Sequence, residues 1–184
     1  MKISAKKKTQ KKVKTVSKPR RRTRFWAKND KRLFTLEVFI TDGPMSKKFC
    51  KANPEISRRI EMRGDQALGE LHEAIFSAFD REDEHMFEFQ VGGKGPMDPK
   101  AQRYVFPMAL DNGWDDGGNP PKDLTMTTIG SLNLKADDAF GYWFDFGDDW
   151  WHQINVASIG EKAPEGKYPR IISRIGKSPR STQI

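Results

Sequence analysis

Apolar and polar positions alternate most strongly between Phe140 and Val156. Phe140, Tyr142, Phe144 and Phe146 recur at period two, and so do Trp150, His152, Ile154 and Val156. Gly147-Asp148-Asp149 lies between the two runs. Glycine permits positive φ, and aspartate bonds its own backbone. The stretch predicts an aromatic β-hairpin with a short, solvated acidic tip. Neighbouring residues of a strand point to opposite faces, so Trp150 is expected inside and Trp151 outside.

The same reading covers the rest of the chain. Phe34, Leu36, Val38 and Ile40 share a face, which predicts a strand over 33–40, ended by Thr41-Asp42-Gly43-Pro44. A second strand is expected over 56–62. Leu68, Leu71, His72, Ile75, Phe76 and Phe79 recur at helical spacing behind Asp65, a suitable N-cap. Residues 85–91 alternate as a strand, with Phe87, Phe89 and Val91 inward. Residues 103–108 suggest a short strand and 127–132 a single helical turn. From Tyr168 a basic strap is expected, fraying from Ser178. The fold class is α+β: a mixed, mainly antiparallel sheet with one principal amphipathic helix packed on it. The expected layout is a disordered basic tail over 1–28, a single domain over 29–176 and a frayed end over 177–184.

Charge changes the picture once it is divided along the chain. The formal total is +8. Residues 1–24 hold eight lysines, four arginines and no acid, or +12. Taking these 12 from the 33 basic residues leaves 21 against 25 acids, so the remainder is net −4. Residues 80–149 carry 15 acids and 6 bases. The tail, with Lys6, Lys7, Lys8, Lys11, Lys12, Lys14, Lys18, Arg20, Arg21, Arg22 and Arg24, cannot bury a core. It suits sequence-independent contact with nucleic-acid phosphates through counterion release. A solubilising arm that folds onto the acidic domain is the rival reading. No aromatic precedes Phe25, so base stacking by the tail is not supported. There is no apolar run of about 18 residues to span a membrane. The N-terminus lacks the apolar core of a signal peptide. Cys50 is the single cysteine, which excludes an intramolecular disulfide and a multi-cysteine zinc site. A reducing, cytoplasmic compartment fits these facts.

The candidate chemistry is a histidine and carboxylate set: His72, His85, Asp145, Asp148, Asp149 and His152. Imidazole and carboxylate suit zinc or manganese, so a metal-dependent hydrolase is one reading. Against it, no two of these residues share a predicted helix at i, i+4 spacing, since Asp145/Asp149 and Asp148/His152 fall in the predicted hairpin, and no nucleophile–base set is visible. His72 and His152 lie on apolar faces, where a core histidine is the simpler explanation. The Gly92-Gly93-Lys94-Gly95 run lacks Walker spacing, and Asp145-Phe146-Gly147 has no other kinase element beside it. The acidic 111–118 loop lacks EF-hand spacing. Neither catalytic residues nor a cofactor are assigned, and the favoured reading is a non-enzymatic accessory or interaction domain.

Four segments occur in a telling order: Leu71-His72-Glu73-Ala74-Ile75, His85-Met86-Phe87-Glu88-Phe89, Phe144 through His152, and Tyr168-Pro169-Arg170. Together they resemble the plasmid pRiA ORF-3-like family, which also counts TnpR-type passenger proteins of insertion elements. Pro54-Glu55-Ile56-Ser57-Arg58-Arg59 resembles a further family element, with Ser57 where tryptophan is usual. The resemblance covers about residues 33–174. It implies a compact α+β domain and a plasmid or mobile-element setting, and it implies no reaction.

Overall fold

The computed structural model describes residues 29–110 and 119–179. The expected basic tail and the acidic 111–118 loop lie outside these residues. The elements, in chain order, are β1 (Leu33–Asp42), α1 (Lys47–Ala52), β2 (Ser57–Arg63), α2 (Leu68–Ala78), β3 (Phe87–Val91), β4 (Gln102–Val105), α3 (Pro107–Leu110), β5 (Lys122–Asp123), a 3₁₀ turn (Ile129–Leu132), β6 (Ala139–Phe144), β7 (Trp150–Gly160) and β8 (Arg170–Ile175). The strands form one eight-stranded sheet in the order β5-β4-β3-β6-β7-β1-β2-β8. Every pairing is antiparallel except the short β4–β5 pair. Among the described residues, no helix is long and apolar enough to cross a membrane.

One face of the sheet carries the core. Phe34, Leu36 and Val38 from β1, Ile60 and Met62 from β2, and Phe140, Tyr142 and Phe144 from β6 are buried there with Trp150, Ile154 and Val156 from β7. They meet the apolar stripe of α2, in which Leu68, Leu71, His72, Ile75 and Ala78 are buried. The period-two and helical patterns therefore name the two surfaces that meet. Trp150 is fully buried while its neighbour Trp151 is partly exposed. Gly43 makes room for Trp150, since a Cβ at that position would lie 2.3 Å from the indole.

Local chemistry departs from expectation in several places. Asp65 does not cap α2. It accepts a bond from Arg63 Nε at 2.9 Å, and Ala67 is the N-cap. Glu70 reaches back instead, its Oε2 accepting from the Ala67 N–H at 2.8 Å. Gln66 links this start to the end of the chain, its Nε2 donating both to Glu70 (2.8 Å) and to the Tyr168 carbonyl (2.7 Å). Residues 106–108 leave the expected strand, because Pro107 opens the short helix α3. At the hairpin tip the left-handed positions are Asp145 (φ 55) and Asp149 (φ 54), not Gly147. Asp145 is also buried rather than solvated. Its Oδ1 accepts from the N–H groups of Gly147 and Asp148 at 3.1 and 3.3 Å, which offsets the cost of burying it. Phe146 belongs to this turn and stacks on Trp143 on the sheet's other face, at 4.1 Å between ring centroids.

The basic strap is partly a strand: β8 pairs with β2, and Arg170 grips Glu61 through Nε and a second nitrogen at 2.8 and 2.6 Å. Two arginines close the C-terminus of α2. Arg58 Nε donates to the Ala78 carbonyl at 2.7 Å, and Arg174 donates to the carbonyls of Ala78 (2.5 Å) and Ser77 (3.3 Å). Cations at a helix C-terminus meet both its orphan carbonyls and its dipole. Arg58 also reaches the carbonyls of Ile175 and Gly176 and the Ser178 hydroxyl, so the chain is held through Ser178.

Trp150→Ala is expected to cost about 3–5 kcal/mol of stability, the range for deleting a buried aromatic. Trp151→Ala is expected to cost far less. Denaturant titrations of both variants in one buffer decide this, and equal losses would remove Trp150 from its central place. Arg58→Met keeps the aliphatic stem and removes the charged bonds, each worth about 1.5–3 kcal/mol. It is expected to destabilise the domain by at least ~2 kcal/mol and to speed hydrogen exchange in β8. Unchanged exchange in β8 would refute the tie.

Candidate functional site

Three of the recognised segments meet beneath the hairpin, between α2 and the sheet, while Tyr168-Pro169-Arg170 lies at the start of α2 and against Glu61. The chain leaves α2 through Asp80, in the left-handed conformation at φ 54, and the N–H of Arg81 bonds back to the Phe76 carbonyl at 3.1 Å. This turn sends Arg81 inward, where only 7% of it remains exposed. Its guanidinium lies 4.0 Å from the Trp150 ring centroid and 5.5 Å from that of Phe144. Burial pushes its pKa down to about 10, opposed by Tyr142, Asp145 and Asp148. An arginine stays charged under these conditions, so the cluster is built around one desolvated cation held by ring faces and nearby carboxylates.

Tyr142 is the hub on the sheet. Its hydroxyl lies 2.8 Å from His72 Nδ1, and its ring centroid lies 5.1 Å from that of His152. Complete burial raises the Tyr142 pKa well above its ordinary value. His72 lies flat on Phe87, at 3.5 Å between centroids and 5° between planes. Desolvation lowers its pKa to about 4. His152 packs edge-on against Phe79 at 5.4 Å. Its pKa falls to about 3, first through desolvation and then through Arg81, with backbone groups of Tyr142 and Trp150 acting the other way. Its Nδ1 finds no hydrogen-bond partner of normal geometry among the described residues. Both imidazoles are therefore neutral in the folded protein at pH 7.

The six proposed ligands do not gather. His85 Nε2 meets Asp145 Oδ2 at 3.5 Å at the half-exposed end of the hairpin. Phe144 lies between His85 and His72, at 5.8 and 6.5 Å from them. Tyr142 lies between His72 and His152, at 6.0 and 5.1 Å. Asp149 turns outward and accepts from Trp143 Nε1 at 3.1 Å, while Asp148 Oδ2 is buried without a hydrogen-bond partner among the described residues. Among the described residues, no three His, Cys, Asp or Glu side chains are placed to hold a metal ion. What the cluster can do is hold the hairpin in register with α2. Arg81 is the member that sequence reasoning missed. Residues 80–84 read as a charged loop, and the available signal was a lone base amid four acids directly after the helical stripe.

The profile of the plasmid pRiA4b ORF-3-like protein family matches residues 48–181. The chain belongs to that family. An uncharacterised protein of Sinorhizobium fredii, y4hQ, is 25% identical over 115 residues, 60% of this chain and 53% of its own. The chain thus spans about half the length of that curated relative. A crystal structure of a protein of unknown function from Methanosarcina mazei Go1 superposes with a TM-score of 0.62 at 22% identity, covering 85% of this chain and 76% of the other. That likeness shows a shared fold.

Because both buried histidines have lowered folded pKa values, they favour the folded state fully above pH ~6.5, their unfolded value. That contribution is lost as pH falls through the window toward about 4 for His72 and about 3 for His152. Stability measured between pH 7 and 5 should fall with acid, by up to about 1.4 kcal/mol per pH unit for each histidine. His152→Leu, which removes a ring whose Nδ1 is unpaired, is expected to reduce this slope by one proton. A variant with the parental slope would show that His152 does not titrate this way.

Proposed function

We propose that this member of the plasmid pRiA4b ORF-3-like family is a non-catalytic accessory or interaction module of a plasmid or mobile element, working in the cytoplasm and tethered to nucleic acid by its basic N-terminal stretch. The observation that carries the reading is the division of charge, +12 within residues 1–24 against −4 in the remainder. An acidic domain repels phosphate on average, so attraction to a nucleic-acid backbone belongs to the basic stretch. The polar cluster under the hairpin supports a non-catalytic role. His72 is committed to Tyr142, and His72, Tyr142 and His152 are all buried. The reading calls for no cofactor.

The test is a salt titration of affinity for duplex DNA, with the full chain and with residues 1–24 deleted. Neutralising Z phosphates gives a log–log slope of about −0.9Z, so an arm engaging about four to eight phosphates weakens steeply between 50 and 200 mM salt. Deletion is expected to abolish binding and to leave the melting temperature nearly unchanged. A truncated protein that binds with the parental slope would place the contact on the folded domain. A melting temperature that drops on deletion only at low salt would favour an arm folded onto the acidic 80–149 region.

A further inference from the structure

The face of the sheet turned away from α2 carries a cleft that the polar cluster does not use. Its volume is about 280 Å³, near the lower end for small-molecule sites. Its floor is the middle of the sheet, with Gly141 of β6 beside Gln153 of β7. Trp151 lines one part and Thr41 stands near it, while the Gly93–Pro96 loop lines another. That loop is anchored from below: the Met97 N–H donates to Gln90 Oε1 at 2.9 Å, and Asp98 accepts from the N–H groups of Lys94 and Lys100 at 2.9 Å each. Trp151 is equally fixed. Trp143 stacks on it at 4.7 Å and 8°, and Phe146 stacks on Trp143 in turn. The walls are therefore preorganised, which lowers the entropic cost of binding.

Gly141 points to a ligand independently. It lies inside a strand, where glycine costs roughly 0.5–1 kcal/mol relative to alanine. No positive φ requires it, and a Cβ there would make only ordinary contact, 3.6 Å from Gln90 Cβ. Packing does not explain the glycine. An open floor for something that approaches the sheet closely does.

We infer that this cleft binds a neutral saccharide of one or two rings, stacked on Trp151 over the Gly141 floor. The lining offers one indole face together with hydroxyl, amide and ammonium groups from Thr41, Gln153 and Lys94. Gln153 Nε2 donates to Asn155, and its carbonyl oxygen has no partner among the described residues. A sugar ring presents an apolar C–H face and a rim of hydroxyls that both donate and accept, matching this mixture. The charge argues against a phosphate-bearing ligand. Lys94 and the buried, neutral His152 are the ionisable residues lining the cleft, and residues 80–149 are net −9. A neutral ring is indifferent to that field, whereas a nucleotide is repelled by it.

The full chain is tested by saturation-transfer NMR and tryptophan fluorescence with glucose, galactose, N-acetylglucosamine, maltose and cellobiose, and with an oligothymidylate as the contrasting arm. At least one sugar is expected to bind saturably. Trp151→Ala and Gly141→Val are each expected to weaken it by at least about tenfold, while Gly141→Val retains the parental melting temperature. Deleting residues 1–24 is expected to leave sugar affinity unchanged, which separates this site from nucleic-acid contact through the tail. Failure of every sugar in the panel, or an affinity that Gly141→Val does not change, overturns the inference. Oligothymidylate binding that Trp151→Ala abolishes and no sugar competes with also overturns it, and would assign the cleft to an unpaired base.

Discussion

Burying one guanidinium is the constraint on which the domain depends. Arg81 loses most of its water, and a cation so placed is tolerated only where faces and charges replace the lost solvation. Those replacements come from distant parts of the chain. Trp150 and Phe144 supply rings, and Asp145 and Asp148 supply opposite charge. Each must be in register for the charge to be paired, so the cation couples the end of α2 to the hairpin tip. Asp80 and Asp145 both take left-handed turns at the two ends of this contact, Asp80 directly before Arg81 and Asp145 at the hairpin tip.

The opposite side of the same helix end is held by a second pair of cations. Arg58 and Arg174 reach the last carbonyls of α2 from β2 and β8, adjacent strands at one margin of the sheet. Arg58 also lies 4.6 Å over the Phe79 ring. Three arginines thus converge on the final turn of one helix, with Asp80 accepting from Arg174 at 3.0 Å and from Ser178 at 2.6 Å. The basic residues after Gly160 are in part helix caps and strand clamps, so they are not all free for phosphate.

Much of this was legible beforehand, and the limits have physical causes. Period two in β1, β6 and β7 and the helical stripe of α2 were clear because each element has one wet face and one dry face. The register between β1 and β7 was not, because residues 120 positions apart leave no local signature. Arg58 lies in the strand expected over 56–62, and nothing local marked it as inward. A buried arginine there is credible only once the α2 carbonyls are known to sit opposite. Arg81 was hidden by its acidic neighbours, because composition averages over exactly the residue that turns inward. The carboxylates and histidines shared motifs without gathering at one point, since the rings of Tyr142 and Phe144 pack against the histidines and the tip turn sends Asp149 outward. The cleft above Gly141 was invisible because its far wall is a loop of glycine and proline with no periodicity to read.

The strand order also has a temporal meaning. β1, the first strand among the described residues, pairs with β2, the next in sequence, but its other partner is β7, and β2 waits for β8. Nearly the whole domain must be synthesised before the sheet can be joined across its middle. Until β7 is available, β1 has an unpaired edge in the middle of the sheet. Such non-local closure slows folding, because chain entropy must be lost before the contacts that reward it can form. A nascent chain of this protein therefore carries an open strand edge, a template for pairing with another chain, until β7 has been made.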